Sequence, residues 1–167
     1  MRAMRERPEA PLFQLGAGAY VLSPEGKILL LDTEHAGSPE RYWTTPGGGM
    51  ERGETIEQCA IRETLEESGL HVRLERLLSV SEVWRDGTMD LVSLLFLAEP
   101  DPWPQEPHPQ EQDGLNRFVG YGWFSRDEIA RLHVPSDELY LRQWLTHITT
   151  PALRHIEARP DGWYELP

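Results

Sequence analysis

The 167 residues contain a single cysteine, Cys59. No internal disulfide can form, and the chain fits a reducing compartment. Basic residues are scarce beside acidic ones, 16 Lys and Arg against 28 Asp and Glu, for a formal net charge of -12. A surface of that sign repels polyanions, so nonspecific binding to nucleic acid or an anionic membrane is disfavoured, and an anionic small substrate needs local basic groups or a bound cation. No window approaches the ~20 apolar residues that a membrane span requires. The segment from Met1 to Pro11 carries Arg2, Arg5, Glu6, Arg7 and Glu9 without an apolar core, so it does not read as a signal peptide. The expectation is a soluble cytoplasmic protein without nucleic-acid or membrane partners.

What is present suits one globular domain, with 39% hydrophobic residues. We expect a flexible segment over 1–11, the domain over 12–150 and a C-terminal tail over 151–167. Leu15 to Leu22 and Lys27 to Asp32 read as strands around the turn Ser23-Pro24-Glu25-Gly26, and the unbroken run Ile28 to Leu31 predicts burial on both faces. Trp43 to Pro46 is a short extended stretch leading into Gly47-Gly48-Gly49. Strands over Leu77 to Trp84 and Met89 to Ala98 flank Arg85-Asp86-Gly87-Thr88, where Asp-Gly is a hairpin signal. Five prolines between Glu99 and Asp113 exclude a helix or interior strand, so this is a long loop inside the domain. Val119 to Phe124 reads as a last strand, and Ser125 with Glu128 as a capping box opening a short helix. A final helix is expected over Ser136 to Ile148. Its apolar stripe, with Trp163 and Tyr164 of the tail, has the character to cover the core or a partner subunit, as in a homodimer.

The densest chemistry follows the triple glycine. Thr55 and Gln58 form a capping box, and Gly69 supplies a left-handed cap, so a helix is expected between them. At about 100° per residue, Glu63, Glu66 and Glu67 share one side, while Ile61 and Leu65 point to the other, which can enter a core. An isolated Glu-x-x-Glu-Glu fragment is ordinarily a solvated face, where like charges cost only about 0.2–0.5 kcal/mol per pair. With the glycine loop packed against it, carboxylates ~4 Å apart repel by roughly 4 kcal/mol at an effective dielectric near 20. A divalent ion removes that penalty, and oxygen-only ligation selects Mg²⁺ or Mn²⁺.

Gly48, five residues, Glu54, seven residues, Arg62-Glu63, two residues, Glu66-Glu67, one residue, Gly69 and Leu70 together resemble the signature of the Nudix (MutT-like) hydrolases. Thr64 departs from it, standing where the pattern has an aliphatic residue. The resemblance implies an α/β fold, an α/β/α sandwich with a mixed β-sheet. It implies a pyrophosphohydrolase that cleaves a nucleoside diphosphate linked to another moiety by water attack on phosphorus. It further implies Glu63, Glu66 and Glu67 as ligands of Mg²⁺ (or Mn²⁺), with the carbonyl of Gly47. Glu63 is open between ligand and base; Glu63, Glu67 and Arg62 form the catalytic set, Arg62 orienting the carboxylates. Glu54 and Gly69 are read as structural, and Cys59 as a packing residue. Arg41 and Arg85 are candidates for phosphate, and Trp43, Trp84, Trp103 and Trp123 for stacking on a base, against the commoner role of tryptophan as a buried core residue. Many family members draw a further acid from a later loop, for which Glu111 and Asp113, then Glu106, are the candidates. Family markers for ADP-ribose (Pro) or dinucleoside polyphosphates (Tyr) are missing around Arg85, Asp86 and Gly87. The competing class is a nucleotide-binding or regulatory domain of the same family without turnover.

Overall fold

The computed structural model describes residues 12–35, 41–109, 116–129, 131–132, 152–159 and 162–165. The expected helix over Ser136 to Ile148 and the candidate acids Glu111 and Asp113 lie outside them. Nine strands and two helices are described: β1 (Gln14–Val21), β2 (Ile28–His35), β3 (Arg41–Thr44), β4 (Gly47–Gly49), α1 (Ile56–Ser68), β5 (Val72–Arg85), β6 (Thr88–Pro100), β7 (Asn116–Phe124), α2 (Arg126–Ile129), β8 (Ala152–Arg159) and β9 (Gly162–Glu165).

They form a mixed six-stranded sheet, ordered β4-β1-β6-β5-β8-β9, and a three-stranded sheet, β3-β2-β7. β1 lies parallel to β6 and β5 parallel to β8, while β1–β4 and β5–β6 are antiparallel. The expected mixed α/β architecture is therefore observed. β1 and β2 do not stay paired; beyond a single bridge between Leu22 and Ile28 they separate into the two sheets. β2 is buried on both faces, as its apolar run predicts. Ile28 and Leu30 join Tyr20, Leu78, Leu95 and Ile129, whereas Leu29 and Leu31 join Ala19, Val21, Leu70, Ala98 and Phe118.

The β5–β6 hairpin turns at Asp86 (φ 50°) and Gly87 (φ 74°), the two positive φ values that a two-residue type I′ turn requires. Both strands extend beyond the predicted limits, because β6 is paired along its length by β5 on one side and β1 on the other. The 151–167 segment, expected as a tail, instead supplies β8 and β9 to the main sheet. An unpaired β5 edge would offer open N–H and C=O groups, and β8 satisfies them. Arg159 and Gly162 are ladder partners, so β8 and β9 form a tight antiparallel hairpin.

The proline loop is a strap over the C-terminal end of α1. The His108 N–H donates to the Ser68 carbonyl at 2.7 Å and the Asp101 N–H to the His71 carbonyl at 2.9 Å. The Gln105 side chain accepts from the His71 N–H and donates back to its carbonyl. Trp103 then meets Trp123 of β7 edge to face, with ring centroids 5.6 Å apart.

Candidate active site

α1 begins and ends where its sequence requires. Thr55 Oγ1 accepts from the Gln58 N–H, the Gln58 side chain accepts from the Thr55 N–H, and Gly69 closes the helix at φ 73°. The buried stripe is Cys59, Ala60, Glu63, Thr64, Glu67 and Ser68. This corrects the predicted orientation: Ile61 is exposed, and two of the three glutamates face inward. The reason is the partner surface. α1 packs on β1 and β4, where Ala17 and the glycines let the helix approach closely, with Cys59 and Ala60 buried against Ala17 and Ile56 packed at the side. Thr64 fits there as well as an aliphatic residue would, because its hydroxyl donates to the Ala60 carbonyl at 2.7 Å.

Gly48 has a specific function in this packing. A Cβ built on it would lie 2.5–2.7 Å from the carboxylate atoms of Glu63, so only glycine lets that side chain lie over the loop. Glu63 is 6% exposed and Glu67 4%. The Gly47 N–H donates to Glu67 Oε2 at 2.8 Å. Burial, reinforced by the charges of Glu63 and Glu66, pushes the Glu67 carboxyl up to about 8 despite that hydrogen bond. Burial also raises Glu63, opposed by Arg62.

Arg62 is the hub. Its Nε and Nη2 grip Glu54 at 3.0 and 2.8 Å, and Nη2 also donates to the Gly49 carbonyl at 2.9 Å. Nη1 donates to Glu63 at 2.7 Å and to Glu66 at 3.0 Å. Glu54 also accepts from the Glu51 N–H, and Arg62 above all holds its pKa down at about 2. Burial drives the Cys59 thiol up to about 11, which leaves it a packing group.

Among the described residues, no three acidic, histidine or cysteine side chains are gathered so as to hold a metal ion. Arg62 stands between Glu63 and Glu66, and Glu67 is tied to Gly47. The donor chemistry nevertheless fits a hard divalent cation: the donors are all oxygen, and two of them are buried carboxylates whose charged forms are poorly compensated.

The remaining predicted residues are dispersed. Arg41, exposed on β3, pairs with Asp32 through Nε at 3.0 Å. Trp43 packs edge-on against Phe124, with centroids 4.8 Å apart, at the core around Tyr20 and Leu30. Trp84 and Arg85 lie near the β5–β6 turn, beyond the rows that reach β1, and Arg85 pairs with Asp90 at 3.1 Å. Glu106 accepts from the Tyr121 hydroxyl. An acid does stand beside Gly120, but it comes from β2. Asp32 is the ladder partner of Gly120, a pairing invisible without the register.

Comparison with known proteins agrees with this geometry. The profile of the NUDIX domain matches residues 12–145. A MutT-like protein of Streptomyces ambofaciens is 25% identical over 130 residues, 78% of this chain and 75% of that protein. The human 8-oxo-dGDP phosphatase NUDT18 is 41% identical over 85 residues, 49% of this chain and 24% of that protein. Several curated relatives are much longer, the chain spanning 30%, 45% and 24% of three of them. A NUDIX hydrolase structure from Nitrosomonas europaea superposes with a TM-score of 0.66 at 24% identity, over 89% of this chain and 81% of that one. A MutT NUDIX hydrolase from Burkholderia pseudomallei does so with 0.59 at 29% identity, over 79% and 98%. The profile match covers most of the chain and includes the whole glycine-loop and glutamate-helix unit, so the chain belongs to the Nudix hydrolase family.

Proposed function

We propose that the protein is a Mg²⁺- or Mn²⁺-dependent pyrophosphohydrolase acting on a nucleoside diphosphate linked to a further group. The observation that carries this reading is Glu67, a carboxylate 4% exposed, beside Glu63, held by a backbone N–H and in need of a cation. Glu63, Glu66, Glu67 and the Gly47 carbonyl are the proposed ligands. When bound there, the ion supplies neutralisation of diphosphate charge, polarisation of phosphorus and a more acidic water.

The chain's own groups divide the rest of the work. Arg62, always cationic, fixes the glycine loop and two of the acids in one frame. Burial lifts the Glu67 carboxyl to about 8, near neutrality, where proton acceptance from a water is efficient. Glu63 is already ion-paired to Arg62 and is better suited to ligation. Names among the relatives, such as ADP-ribose pyrophosphatase and 8-oxo-dGDP phosphatase, support the substrate class. The test is hydrolysis of nucleoside triphosphates, nucleotide sugars, ADP-ribose and dinucleoside polyphosphates with Mg²⁺ or Mn²⁺. Turnover of at least one, abolished by Glu67→Gln, is expected; no turnover of any would overturn the reading.

A further inference from the structure

The half of α1 that carries the acids is not held by apolar packing. Beyond Ala60 the buried residues of the helix are Glu63, Thr64, Glu67 and Ser68, none of them apolar. The next apolar anchor is Leu70, past the glycine cap. A helix is ordinarily placed by the apolar face it buries, so the last turn of α1 needs its placement from elsewhere.

The proline strap supplies it. A helix end leaves its last four carbonyls without partners inside the helix. The Gly69 N–H takes that of Leu65 at 2.8 Å, and the His108 N–H takes that of Ser68, next to Glu67, at 2.7 Å. Gln105 locks the strap that brings His108 there. Its side-chain amide accepts from the His71 N–H at 3.0 Å and donates to the carbonyls of His71 at 2.8 Å and Pro102 at 2.6 Å. The strap also has a footing on the second sheet, through Trp103 against Trp123 and Glu106 against the Tyr121 hydroxyl. The last turn of α1 is thus set against a segment that is anchored independently of the helix.

We infer that Gln105 is a positioning residue for the site: by locking the strap to the chain just after α1, it holds Glu67 where its carboxylate meets the Gly47 N–H at 2.8 Å. Its bearing on catalysis rests on the metal-dependent hydrolase reading, but its test requires neither metal nor turnover. Amide exchange of the metal-free protein is followed by NMR for the wild type, Gln105→Ala and Thr55→Ala, the last of which loosens the opposite end of the helix. Gln105→Ala should speed exchange of the Gly47 amide about three- to tenfold, the effect of one neutral hydrogen bond, and Thr55→Ala should not. The Met50 amide, bonded to the Leu15 carbonyl at 2.8 Å, should be unchanged in both. Unchanged Gly47 exchange in Gln105→Ala, or equal acceleration in Thr55→Ala, would overturn the inference. If Gln105→Ala does not fold, Gln105→Glu carries the test by the same criteria, since it keeps the acceptor for the His71 N–H and loses both donations. Mn²⁺ titration followed by electron paramagnetic resonance adds the link to the site: affinity should fall about three- to tenfold in Gln105→Ala and hold in Thr55→Ala, and an equal fall in both would also overturn the inference. A wild type that binds no Mn²⁺ would defeat the proposed metal dependence and leave Gly47 exchange to decide whether Gln105 positions Glu67.

Discussion

Glu67 controls both the pH dependence and the metal dependence expected of this protein. Its folded pKa, about 8, lies above the ordinary carboxylate value of 4.5. Between those values the folded state holds the proton more tightly than the unfolded chain, so this contribution to stability is complete below pH 4.5 and is lost as pH rises through 8. Glu63 shifts in the same direction, whereas Glu54 acts below this window, its stabilising effect being lost as pH falls towards 2. The metal-free protein should therefore lose thermal stability from pH 5 to 8.5. Glu67→Gln should flatten that slope, and Mg²⁺ at pH 8 should raise the melting temperature of the wild type more than that of the variant. Differential scanning fluorimetry across pH with and without Mg²⁺ checks all three. Gly48→Ala separates packing from chemistry. The new Cβ collides with the movable end of Glu63, so stability should change by no more than about 1 kcal/mol while activity falls at least about 100-fold. Gly18→Ala has no such freedom, because it meets the Pro46 carbonyl oxygen at 2.6 Å; urea unfolding should show a loss of about 1–3 kcal/mol.

At the scale of elements, the caps of α1 and the β5–β6 turn were legible because each depends on local chemistry: a hydroxyl at one end, a left-handed glycine at the other, Asp-Gly between strands. The face that α1 buries was not legible. Its periodicity admits two stripes, and apolarity favours the one with Ile61, yet the partner strands are glycine-lined and accept Cys59, Ala60 and Thr64 with the acids beside them. Long-range pairings such as Asp32 with Gly120, or β8 with β5, depend on register and sheet order, which no local window contains. Gly69→Ala tests the join between α1 and the strap. A side chain there is strained at φ 73° and meets His108 atoms at 3.3 Å, so a loss of more than about 1 kcal/mol is expected by chemical denaturation. The Thr55→Ala variant at the other end should cost about 1 kcal/mol.

For the whole molecule, β8 and β9 make the C-terminal segment part of the sheet. A chain truncated after residue 150 would bare the β5 edge, and it should unfold at lower temperature and elute partly as aggregate in size-exclusion chromatography. Among the described residues, no helix is long and apolar enough to cross a membrane. The contacts of Arg62 have a consequence for how this family site can vary. One guanidinium closes the loop through Gly49, steadies the turn through Glu54 and divides its remaining donor between Glu63 and Glu66. Lysine, with a single point of charge, cannot reproduce that fork. Loop closure and acid placement are therefore inherited together: no substitution at this one position can tune the acids while leaving the loop as it was, and adaptation to new substrates is left to residues outside the signature.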